Sequence, residues 1–147
     1  MIADFIRYTE VADGIIIKIF LEAKRSLPEA ETLFSHVLNA QHIWASRING
    51  LKPSFLTWDL QPVSVFEEMH VSNIAQLKEI LAKDDLGRTV SYTTQAGDSL
   101  VNTVGDIILH AANHSIYHRA QVVSLFKQNN IKPPVTDLIA LKRQGLL

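Results

Sequence analysis

The chain contains no cysteine. Disulfide scaffolds, thiolate metal sites, iron–sulfur clusters and cysteine nucleophiles are thereby excluded, and any metal ion must be held by nitrogen and oxygen ligands. No charge of one sign dominates: 14 Lys and Arg stand against 15 Asp and Glu, interleaved along the chain, for a formal net charge of −1. That excludes the basic footprint of a nucleic-acid-binding domain and the polybasic patch of a membrane-surface protein. Long apolar runs are missing too. The most apolar stretch, Gly14 to Leu21, is short and carries Lys18, whereas a membrane span needs about 20 apolar residues. The opening residues, Met1-Ile2-Ala3-Asp4-Phe5-Ile6-Arg7, lack the cationic start and apolar run of a secretory signal. What is present is 147 residues, 47% hydrophobic and 20% charged. That is enough for one sizeable core and too apolar for a disordered chain. The expectation is one domain over residues 1–147, soluble and cytoplasmic.

The few prolines and glycines mark boundaries: Pro28, Gly50, Pro53, Pro62, Gly87, Gly97 and Pro133-Pro134. Between them the apolar periodicity is mostly helical. A first segment runs from about Ile2 to Lys24, with Phe5, Tyr8, Val11 and Ile15 mostly at helical spacing. A second runs from Pro28 to Ile48. Pro28 suits its first turn, Glu29 and Glu31 sit where the helix dipole favours acids, and Gly50 suits its end. A third opens near Ser64, with Glu67 three residues on in a capping-box pattern. A fourth runs from about Leu100 to Asn129. Between the last two, Arg88 to Thr94 alternates and is rich in β-branched residues, and Gln95-Ala96-Gly97-Asp98 follows. A short hairpin with a very short second strand fits that pattern. Asp137 to Arg143 fit one more helical turn or two. The predicted fold class is all-α, a four-helix bundle with a short β-hairpin before the last long helix.

Chemistry concentrates in six histidines: His36, His42, His70, His110, His114 and His118. Three stand at four-residue steps in the fourth segment, and such a step puts two imidazoles on one helix face, one turn apart. The apolar stripe there is Ile107, Ala111, Val122 and Leu125. At about 100° per residue, His114 and His118 fall within ~20° of Ile107, and His110 about 60° to the flank. In the second segment His36 lies at the edge of the stripe Leu33, Val37, Ala40 and Trp44, and His42 on the far side. Two imidazoles on an apolar stripe need partners. A divalent cation would satisfy both. A polar network with Gln121 and Tyr117 is the alternative, and spacing alone does not decide between them. The glutamate of a zincin motif is absent, its position being Ser115.

The string His110-Ala-Ala-Asn-His114-Ser-Ile-Tyr-His118-Arg119-Ala-Gln121 resembles the signature of the DinB family. Leu33 to Trp44, with Arg47-Ile48, resembles the second helix of that family, and Pro133 to Ile139 its C-terminal end. The similarity covers nearly the whole chain in the right order. Ala120 stands where many relatives carry Gly. The resemblance implies a four-helix bundle, usually dimeric, with a divalent metal on three histidines, by position His36, His114 and His118. It also implies kinship with transferases and isomerases that use small thiols such as mycothiol or bacillithiol.

Three neutral nitrogen ligands leave an ion its full charge and an open position, as in catalytic rather than closed structural sites. Zinc or nickel suits such imidazole ligands. Gln121, Tyr117, Asn39 and His110 are the candidates to hold the imidazoles' other nitrogens, although a surface or capping role fits Asn39 better. With no cysteine, a thiol nucleophile must come from a low-molecular-weight cosubstrate. Glu67, Glu68 and Asp106 are available as bases, but no spacing directs them at the histidines. Arg119 falls off the inner stripe and is expected in a surface or dimer-interface salt bridge, and Trp44 and Trp58 in core and loop packing. The expected function is a small-thiol transferase acting as a homodimer. A metal-dependent hydrolase and a non-catalytic, stress-related metal-binding dimer are the alternatives.

Overall fold

The computed structural model describes residues 1–147. Its elements are α1 (Ile2–Ala23), α2 (Pro28–Ile48), α3 (Phe66–Lys83), β1 (Thr89–Thr93), β2 (Ser99–Thr103), α4 (Val104–Gln128) and α5 (Leu138–Arg143), with a single 3-10 turn at Val63–Val65. Helices α1 and α2 each pack against both α3 and α4, which makes a bundle of the four long helices. The helix count is five rather than four, because Asp137 caps a short extra one. Its Oδ1 accepts from the N–H groups of Ile139 and Ala140 at 3.0 and 3.1 Å, and Leu141 is buried in a cluster with Tyr8 and Ala12.

Local chemistry sets the element ends. Pro28 occupies the first turn of α2, where its missing N–H is not needed, and the N–H of Leu27 donates to Glu31 Oε1 at 2.7 Å. Gly50, just past α2, has a φ of +67°, the left-handed conformation that a side chain disfavours. The capping box expected at Ser64 does not form. The chain enters α3 through the 3-10 turn, and Ser64 lies inside that turn instead of in the extended conformation a cap needs.

The hairpin is present. Strands β1 and β2 pair antiparallel over five residues each, from Thr89 opposite Thr103 to Thr93 opposite Ser99. Leu100 therefore belongs to β2, and the last long helix starts at Val104, later than the periodicity predicts. Thr103 stops the strand and starts the helix, its Oγ1 accepting from the N–H of Asp106 at 3.1 Å. The next turn runs close to the third helix's exit: a β-carbon on Gly105 would stand 3.2 Å from the Leu86 carbonyl oxygen.

Two apolar clusters fill the bundle. One is aromatic, with Phe20 packed on Phe34, Phe66 and Phe126, and Phe34 on Phe66. The other is aliphatic, with Ile6, Ile48, Leu77 and Ile107 among its members. Along the helices, a buried polar layer falls between them. Arg119 Nη1 donates to Asp13 Oδ1 at 2.7 Å, and both side chains are nearly inaccessible, at 2% and 0% exposure. Gln41 Nε2 donates to Asp13 Oδ2 at 2.9 Å and to Ser115 Oγ at 2.8 Å, and Asn73 Nδ2 to the Leu38 carbonyl at 2.9 Å. Arg119 is thus inside the bundle and not in the surface salt bridge that its helix phase predicted. Ser115 and Arg119 belong to the buried face of α4, so its centre lies about 80° round from Ile107. The stripe through Ile107, Ala111, Val122 and Leu125 misses that centre because it leaves out the buried Ile108, Ala112 and Phe126.

Candidate metal centre

His36 projects from α2 and His114 and His118 from α4, across the seam between those helices. Their ring centroids lie 4.8 Å (His36–His114), 4.8 Å (His36–His118) and 4.4 Å (His114–His118) apart. One ligand nitrogen from each falls within 4.8 Å of the other two, a group that could hold a metal ion. Because the buried face of α4 is centred on Ser115 and Arg119, His114 and His118 stand at its edge. They are half-buried, while His36 is buried. The site is accordingly a rim site on the seam, reachable from outside.

Hydrogen bonds on the outer side of two rings decide which nitrogens face inward. His36 Nδ1 lies 3.0 Å from the Thr57 carbonyl, and His118 Nδ1 2.7 Å from Gln121 Oε1. Both partners are acceptors, so both Nδ1 atoms carry the proton and both Nε2 atoms face inward without one. His114 Nε2 lies 3.0 Å from His36 Nε2, and its Nδ1 is buried with no partner. Burial, then the neighbouring imidazoles His118, His36 and His110, push the His114 pKa down to about 3. Burial also lowers that of His36, against the opposing Thr57 bond. His36 and His118 thus present Nε2 inward and hold Nδ1–H outside on oxygen acceptors, the arrangement that imidazole-bound divalent metals require, and His114 Nε2 stands beside them. The residues therefore fit such an ion.

The remaining candidates sort by position. Gln121 bonds His118 directly. Tyr117 is exposed, and its ring meets the edge of His118 at 5.0 Å without a hydrogen bond. His110 packs against Trp44 at 5.1 Å and lies 5.7 Å from His114 between centroids, outside the three-histidine group. His42 sits away from the group, its Nε2 accepting from the N–H of Ser54 at 3.0 Å. His70 is buried at α1, its Nε2 3.0 Å from the Glu10 carbonyl. Asn39, expected at the surface or at a cap, is fully buried. It braces the loop from 49 to 62: Nδ2 donates to the Asp59 carbonyl at 2.7 Å, and Oδ1 accepts from Gln61 Nε2 at 2.9 Å.

Two participants escape the helix-phase argument. One is the Thr57 carbonyl, which no side-chain pattern reveals. The other is Trp58, half-exposed, whose ring stacks on His36 at 3.8 Å with 7° between planes. Both lie in the irregular loop, where no periodicity exists to phase a residue. The only signal available was the length of that loop.

None of the curated proteins and none of the solved structures compared matches the chain significantly. The profile of the DinB family matches residues 18–145, a span that contains all three clustered histidines. The chain belongs to the DinB family.

Proposed function

We propose that this protein is a metal-dependent transferase acting on a small thiol, with His36, His114 and His118 holding one divalent ion, zinc or nickel. The observation that carries this reading is the pair of outward hydrogen bonds, His36 to the Thr57 carbonyl and His118 to Gln121, which turn both Nε2 atoms inward beside His114. A divalent ion there would supply charge that keeps a thiol deprotonated near neutral pH. The protein's own part is to hold neutral ligands in place, with Trp58 covering one face of His36. The chemistry is a displacement. The thiol proton leaves to solvent, a sulfur–carbon bond forms, and the leaving group departs with the electron pair of the broken bond. The chain has no thiol of its own, so the nucleophile arrives as a cosubstrate. The hydrolase alternative has less support, since no carboxylate joins the three imidazoles and Glu67 and Glu68 are exposed on α3.

The test has two steps. Elemental analysis of untagged wild type should find about one divalent ion per chain, and His114→Ala and His118→Ala should have nearly none. Equal metal in all three proteins would remove the site. Metal-loaded protein should then consume mycothiol or bacillithiol in the presence of an aryl chloride, with matching chloride release. No consumption of either thiol would leave a metal-binding protein and end the transferase reading.

A homodimer and a cytoplasmic location belong to the same proposal. The loop beside the site exposes Leu56, Trp58 and Leu60, 64%, 58% and 64% accessible, as an apolar surface suited to a second copy. A strictly monomeric mass by light scattering would count against the dimer. No helix is long and apolar enough to cross a membrane, and a small-thiol cosubstrate goes with the cytoplasm.

A further inference from the structure

Arg47 leaves the last turn of α2 with its guanidinium over two aromatic rings, 4.5 Å from the centroid of Trp44 and 4.6 Å from that of Tyr92. The two rings meet edge to face at 5.2 Å. They hold the guanidinium in place but offer its N–H groups no acceptor. By contrast, the exposed Arg88 pairs with Asp84 and the buried Arg119 with Asp13. Arg47 is half-buried, yet it makes no ion pair and no side-chain hydrogen bond within the chain. Five N–H donors fixed by stacking and left without acceptors form a receptor for a planar or tetrahedral anion.

Arg47 borders a cavity of about 460 Å³ between α2, the loop from 49 to 62, and β1. Its lining includes a second cation, Lys52, and no Asp or Glu. Lys52 is likewise outside every ion pair of the chain. Ile43 and Phe55 give the cavity apolar walls, and Ser91 and Thr93 of β1 add hydroxyls. Two unpaired cations, an apolar wall and a volume suited to a small molecule specify the occupant's chemistry.

We propose that Arg47, clamped by Trp44 and Tyr92 and assisted by Lys52, binds the carboxylate or phosphate group of a small organic molecule in this cavity. The assignment does not rest on the metal reading. It touches that site at one residue: Thr57 lines the cavity, and its carbonyl holds His36. A ligand anchored on Arg47 therefore abuts the segment that orients the histidine group.

The test is a titration of isotope-labelled full-length protein, followed at the Trp44 indole N–H, which a Trp58→Phe variant identifies. The probes are inorganic phosphate and phenylacetate. At least one should shift the Trp44 resonance saturably, and the probe that does so tells phosphate from carboxylate. Arg47→Met should weaken that binding by about tenfold or more, and Lys52→Gln by a smaller factor. Arg143→Gln, an exposed cation elsewhere, should leave it unchanged. Circular dichroism checks the fold of each variant, and Arg47→Lys, which keeps the charge but not the fork, replaces Arg47→Met if that variant misfolds. It too should bind more weakly. The metal content of Arg47→Met should equal that of wild type, and anion binding should persist in His114→Ala, so the two sites fail or stand separately. The proposal is overturned if neither anion shifts Trp44 saturably, or if the folded Arg47 variant binds as wild type does.

Discussion

The carbonyl of Thr57 accepts a hydrogen bond from His36 Nδ1 at 3.0 Å, so a residue of the long loop decides which nitrogen of His36 faces His114. That loop is in turn held by Asn39, one helical turn along α2 from His36, through the Asp59 carbonyl and Gln61. Asn39→Ala removes this brace and leaves buried polar groups of the loop without partners. The expected outcome is a roughly tenfold or greater loss of metal affinity, with a stability loss of about 1–3 kcal/mol. Competition against a chromophoric chelator and urea unfolding measure the two. Lower stability with unchanged affinity would show that the loop does not position His36.

The histidines should rank by geometry. His36→Ala removes one of three inward nitrogens and should lower metal affinity by a large factor. His42→Ala breaks only the bond from Ser54, so metal affinity should hold while the loop loosens. His110→Ala removes a ring that packs on Trp44 and borders His114, and should act through packing alone. Metal titrations of the three variants give the ranking. If His42 or His110 proves essential and His36 dispensable, the assignment falls.

Helices were legible wherever one face is apolar and both ends carry chemical marks. Pro28, Gly50 and Asp137 stand where α2 and α5 begin or end. Periodicity failed at the start of α4, since Leu100 and Val101 continue an apolar pattern while pairing as a strand. The four-residue step of His114 and His118 exposed the α4 half of the site, because a fixed helical pitch converts sequence spacing into direction. Helix phase places them too deep when the stripe runs through Leu125 and leaves out Ile108, Ala112 and Phe126, which carry the buried face further round α4. The Arg119–Asp13 pair joins residues 106 apart in sequence, and Thr57 acts through its backbone. Neither relationship leaves a local trace.

Acid should destabilise the metal-free protein through its histidines. An unfolded His114 takes up a proton near its ordinary pKa of 6.5, whereas in the fold burial and then the neighbouring imidazoles hold it down to about 3. Between those values the unfolded chain binds more protons than the folded one. Stability is therefore full above the ordinary pKa and is lost as pH falls toward the lower value. Burial lowers His36, His42 and His110 in the same direction and steepens the loss. The urea midpoint of chelator-treated protein should fall between about pH 7.5 and about pH 5, and His114→Leu should reduce the fall. A midpoint independent of pH would contradict the burial of these rings.

The Asp13–Arg119 pair offers the sharpest test of the core. With 0% and 2% of the side chains exposed, solvent cannot screen either charge once its partner is gone. Asp13→Leu would strand the guanidinium, whose Nη2 already lacks a partner, and would take from Gln41 Nε2 one of its two acceptors, leaving Ser115. The expected loss is about 3–5 kcal/mol, the range for breaking a buried pair from one side. Replacing both members, Asp13→Leu with Arg119→Met, removes both charges and should recover most of that loss, because apolar substitution of a whole buried pair is often neutral or stabilising. Urea unfolding of the two single variants and the double variant completes the cycle. A double variant as unstable as the sum of its singles would mean that Asp13 and Arg119 serve separate contacts, Gln41 on one side and the Tyr8 ring, 4.7 Å from the guanidinium, on the other.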